Sequence, residues 1–88
     1  MHAVFVRVTI DDPERALKAL HEEVVPRVSA LPGLVAGYWL RPEANQGRSL
    51  VVFESEDAAR AAAENVRSNA PEFVTFDTVD VVEVVAHT

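Results

Sequence analysis

The chain is 88 residues long, 49% apolar, and carries a formal net charge of −6 without a single cysteine. Its Lys and Arg residues are scattered singly, which excludes the clustered basic footprint of a nucleic-acid binder or of a protein held on an anionic membrane surface; the missing thiols exclude disulfides and thiolate metal sites. No apolar run approaches the roughly 20 residues that span a bilayer, so one domain over residues 1–88 is expected, cytoplasmic and held together by packing alone.

Residues 3–10 set Val4, Val6, Val8 and Ile10 against Phe5, Arg7 and Thr9. This alternation predicts a strand with one wholly apolar face and one mixed face. Asp11-Asp12-Pro13 then offers a side-chain cap and a proline suited to the first turn of a helix. Across residues 14–31, Leu17, Leu20, Val24, Val28 and Leu31 recur at three- and four-residue steps, within a stripe roughly 60–80° wide. Pro26 removes a backbone hydrogen bond from that helix but projects from its polar side. One kinked helix is predicted, with a break at Pro26 as the alternative. Pro32-Gly33 ends it.

Residues 32–55 contain two apolar runs around a polar break at residues 41–48, predicting a hairpin with a long loop. Ser55-Glu56-Asp57 reads as the cap and acidic first turn of a second helix, which runs to about Asn69 on a stripe of Ala59, Ala62, Ala63 and Val66. An alanine-lined face either brings a helix very close to a sheet or leaves room beneath it for a ligand. Residues 70–78, with Pro71, Phe73 and Phe76, read as a packed connection with a short extended piece. Residues 79–86 are the last predicted strand.

The order strand, helix, strand, strand, helix, strand predicts an α+β, ferredoxin-like plan. In that plan a four-stranded antiparallel sheet has its first and third strands central and both helices on one face. Yet Leu50 and Val52 alternate with Val51 and Phe53, so the sheet is apolar on both faces. A free face bearing Phe53 or Tyr38 and several valines exceeds what soluble monomers usually expose. A face-to-face homodimer is therefore expected, with Arg7 and Phe53 at the interface.

Leu31-Pro32-Gly33-Leu34-Val35-Ala36-Gly37-Tyr38 and Val52-Phe53-Glu54-Ser55-Glu56-Asp57-Ala58 carry a resemblance. The first resembles the proline-glycine entry into the second strand, and the second the passage from third strand to second helix, in the dimeric α/β-barrel superfamily and its antibiotic-biosynthesis-monooxygenase-like domains. The resemblance implies a two-fold dimer with a pocket between helices and sheet in each subunit. Its members include cofactor-independent oxygenases of aromatic polyketides, haem-degrading proteins, isomerases and proteins without known activity. This chain has Phe53 where many of the enzymes carry tryptophan. It also lacks the asparagine and histidine of the haem-degrading branch, so no cofactor is expected.

Among candidate groups, His21 flanks the first helix's stripe and is placed to act as an acid or base near neutral pH. Tyr38 and Trp39 are adjacent on a strand, so one faces the helices and the other the partner; both are catalytic candidates with His21. Arg7 needs a carboxylate such as Glu83, Glu54 or Asp80 if buried. Asn65 and Asn69, beside Ala62, are candidates for binding a ligand carbonyl. His2 and His87 lie at paired strand ends but lack a third ligand, so no metal site is expected. The leading expectation is a dimeric barrel that is structural or binds a small apolar ligand. The alternative is a cofactor-independent monooxygenase or isomerase acting on an aromatic or polyketide-like substrate.

Overall fold

A computed structural model describes residues 1–69 and 73–88. The first alternating run forms β1 (His2–Ile10), and Asp12 caps the helix that follows, its carboxylate accepting the Arg15 N–H. α1 (Pro13–Ala19), a π-helical turn (Leu20–Val24) and α2 (Val25–Ser29) follow without interruption and make one helical rod. The hairpin is β2 (Leu34–Glu43) and β3 (Gln46–Phe53), followed by α3 (Glu56–Ser68) and β4 (Val74–Glu83). Ser55 caps α3 through its hydroxyl, which accepts the Ala58 N–H.

The four strands pair in the order β2-β3-β1-β4, all antiparallel, so the first and third strands are central as expected. Registers fix what shares a face. Gly37, Val51, Val4 and Val81 form one row across the sheet, and Trp39, Ser49, Val6 and Val79 the next. These rows lie under the helices, where Val4, Val6, Val28, Val51, Phe53, Ala59, Ala62 and Ala63 build the core. The opposite face carries the rows Tyr38, Leu50, Phe5, Asp80 and Leu40, Arg48, Arg7, Thr78.

Three expectations change. The long loop at residues 41–48 is a two-residue turn at Ala44-Asn45, because both strands run on through polar residues: Gln46 to Arg48 pair with β1 and so satisfy its backbone. Asn45 locks the turn to the end of β1, its carbonyl accepting the Ile10 N–H at 2.8 Å and its amide donating to the Ile10 carbonyl at 3.0 Å. Pro42 is tolerated because β2 is an edge strand with an irregularity between Leu40 and Glu43.

The last strand starts at Val74 rather than 79, since β1 offers a partner as far as Ile10, and a register shift near Asp77 absorbs the mismatch. It stops at Glu83, opposite His2, where β1 begins. The predicted connection at Ala70 and Pro71 lies outside the described residues. Finally, Phe53 is 1% exposed in the helix-side core. It is therefore not on the open face, and its expected place at a dimer interface is corrected: Phe53 shares its face with Val51, two residues back, and Val51 packs against Val4.

A candidate ligand cavity beneath the helical rod

Pro26 has no N–H for the Glu22 carbonyl, and the helix adjusts by widening just before it. The Val25 N–H reaches five residues back to the Leu20 carbonyl, which is the π-helical pattern. The predicted kink is thus an inserted residue in a continuous rod, not a break.

α3 rests directly on β1, β3 and β4, whereas the rod backbone stays away from the sheet. Side-chain size explains the difference. Ala59 and Ala63 are 0% and 1% exposed, and their short side chains let α3 descend onto the strands. Leu17, Leu20, Val24 and Val28 hold the rod higher. Beneath it lies a cavity of about 340 Å³, within the usual range for small-molecule sites.

The cavity is roofed by Leu20 and Val24 of the π-helical turn, floored by Val4, Val6, Ser49 and Trp39, and closed on one side by Ala62 and Asn65 of α3 and by Asn69 just after it. Trp39 is therefore the member of its pair that faces the helices, while Tyr38 is 57% exposed on the opposite face. Gly37, its same-face neighbour, gives the indole room: a Cβ there would meet the ring's Cη2 and Cζ3 at 3.1 Å. Gly47, expected in a loop, lies buried in β3 where a Cβ would come within 2.7 Å of Val8 Cγ2.

All three expected ligand-binding residues, Asn65, Asn69 and Ala62, line the cavity, and Asn69 donates its side-chain amide to the Asn65 carbonyl at 2.9 Å. His21 does not. It is exposed and outside the lining, because the π-helical turn presents Leu20 and Val24 to the interior instead. Arg7 is exposed on the open face, directly across from Arg48, and none of Glu83, Glu54 or Asp80 pairs with it among the described residues. His2 lies 3.8 Å from Glu56, while His87 follows β4 in an exposed tail.

Glu56, at the start of α3, has its carboxyl held below the ordinary value, first by the hydrogen bond from Arg60, then by the charges of Arg60 and His2. That cluster lies outside the cavity.

Ser49, Arg27 and Arg41 also line the cavity, and no sequence pattern singles them out. Ser49 sits among apolar strand neighbours, and strand alternation alone places it beside Trp39. Arg27 stands four residues after Glu23, a spacing that in a regular helix pairs the two on the surface. No such pair forms among the described residues, since the π-helical turn between them changes their relative angle.

No protein-family model matches the chain, and no curated protein matches its sequence. Solved structures do match its shape. NE2512, a protein of unknown function from Nitrosomonas europaea, superposes with a TM-score of 0.74 at 23% identity, covering 99% of this chain and 91% of its own. SnoaB, a cofactor-independent oxygenase from Streptomyces nogalater, gives 0.69 at 18% identity, covering 98% and 95%. The chain has a ferredoxin-like fold. MupZ from Pseudomonas fluorescens shares this ferredoxin-like fold with a TM-score of 0.71 at 17% identity; the match covers 91% of this chain and 65% of MupZ. Among the described residues, no helix is long and apolar enough to cross a membrane.

Proposed function

We propose that the protein binds a small, mainly apolar organic molecule in the cavity beneath the rod, and that two copies pair through their open sheet faces. The observation that carries the first half is the standing-off rod: a domain this small keeps about 340 Å³ beneath a widened helical turn rather than letting the rod collapse onto the sheet. The second half rests on exposed Tyr38, Leu40 and Val82, which with Leu50 and Phe5 make an apolar patch that no element of the chain covers among the described residues. A self-complementary second copy suits it, Asp80 on β4 being available to the Arg7 and Arg48 of a partner.

Trp39 is the chain's single tryptophan and lines the cavity, so its fluorescence reports occupancy. Titration with the neutral probe N-phenyl-1-naphthylamine quenches it saturably, and Val24→Trp, which fills the space beneath the rod, abolishes extrinsic probe emission while circular dichroism stays native. No saturable binding to the folded protein refutes the cavity reading. Sedimentation equilibrium at micromolar concentration gives twice the 9.6 kDa chain mass, and Tyr38→Glu shifts it toward that of one chain; a wild-type monomer refutes the pairing.

Cofactor-independent oxygenation of an aromatic substrate is the second reading, favoured by the shared fold with SnoaB and by Trp39 and Ser49 as polar groups on the cavity floor. His21, exposed and outside the cavity lining, lends this second reading no support.

A further inference from the structure

Charge around the cavity runs against the charge of the protein. The chain has 14 acidic and 8 basic residues, yet Arg27 and Arg41 line the cavity and no carboxylate among the described residues does. Glu43 follows Arg41 on β2 and stays outside the lining. The remaining helical arginines behave differently: Arg15 pairs with Asp12, Arg60 with Glu56, and Arg67 with Glu64. Neither Arg27 on α2 nor Arg41 on β2 has an ion-pair partner among the described residues. The exposed Arg27 and Arg41 belong to the rod and to the edge strand, so they flank the opening from two elements.

We infer that the cavity is selective for amphipathic organic anions, an apolar body lying beneath the rod and a carboxylate or phenolate held at the opening by Arg27 and Arg41. This deepens the cavity reading above and rests on it. The physical case is that unpaired guanidiniums around a low-dielectric cleft focus a positive potential on its mouth even when the whole protein is negative. Each guanidinium also presents a fork of donors that matches a carboxylate. An anion bound there keeps its head group partly hydrated, which avoids the cost of burying an unpaired charge, while the apolar body leaves water. Trp39 and Ser49 line the same cavity.

The test uses the whole chain loaded with N-phenyl-1-naphthylamine, displaced by decanoate or by decan-1-ol, which share a carbon skeleton and differ in charge. Decanoate displaces the probe at about tenfold lower concentration than decan-1-ol in low salt, the scale of one charge-assisted contact partly screened by water. That advantage shrinks as sodium chloride is raised. In Arg27→Gln/Arg41→Gln the ratio of decanoate to decan-1-ol displacement, each read against the variant's own probe affinity, falls to about one. Equal displacement by the two in the wild type overturns the anion selectivity and leaves the cavity reading standing. An advantage that survives the double substitution overturns the assignment to these two arginines. Failure of the probe to bind the folded wild type overturns both readings together.

Discussion

The two helical layers of this small domain cover the same sheet in opposite ways. α3 presents alanine and sits on the strands; the rod presents leucine and valine and stands above them. The longer side chains make the looser contact because they come from a rod whose path is set by Pro26, and because Trp39 and Phe53 already occupy the sheet surface beneath. Packing strength and ligand space are thus divided between two helices. The alanine stripe of α3 was expected either to approach closely or to leave room. It approaches closely, and the room is under its neighbour, with Ala62 and Asn65 supplying one wall.

The division is open to direct attack by substitution. Phe53→Ala removes the largest fully buried side chain and lowers unfolding free energy by about 3–5 kcal/mol in urea titration, the cost of a large core truncation. Ala63→Leu drives a larger side chain into the tight α3 contact and costs about 1–3 kcal/mol. Val24→Leu adds the same kind of bulk under the rod and costs less than about 1 kcal/mol, because there is space to receive it. Equal penalties for these two enlargements, measured by denaturant midpoint, would erase the contrast between the helices.

Smaller effects probe the site and the edge of α3. Gly37→Ala pushes the indole of Trp39 off the floor and into the cavity, weakening N-phenyl-1-naphthylamine binding by roughly threefold, a fraction of the cost of filling a pocket outright. Glu56→Gln gives the slightest change. The Glu56 carboxyl is held below its ordinary value in the fold, so its pairing with Arg60 adds stability above the unfolded-state carboxylate range. That contribution is lost as pH falls through the lower folded value. The variant is therefore marginally less stable at neutral pH and has a flatter stability profile on the acid side, whereas an unchanged acid limb would show that Glu56 plays no part in it.

The element order, the central strands and the two caps at Asp12 and Ser55 are legible in the chain because each depends on neighbours a few residues apart. Strand ends are not, since Gln46 to Arg48 and Val74 to Thr78 become extended only because β1 offers them partners from far along the chain. Helical periodicity puts Asn65, Asn69 and Ala62 on one side of α3 and its end, the side that borders the cavity. A regular 100° step per residue puts His21 beside the apolar stripe, and the π-helical turn, which departs from that step just there, leaves it outside the lining. Phe53 was assigned to the wrong side because both faces of β3 are apolar and nothing in the local pattern says which one meets the helices.

One inserted residue therefore sets more than the shape of a roof. Winding residues 20–24 at the regular helical step with every residue kept would swing everything after them by one residue's angle, about 100°. Val28 would leave the core and Arg27 would leave the rim, with no change in any side chain at either place. The helical turn acts as an azimuthal dial, and its setting decides whether this domain has a charged doorway or only a plain helical surface.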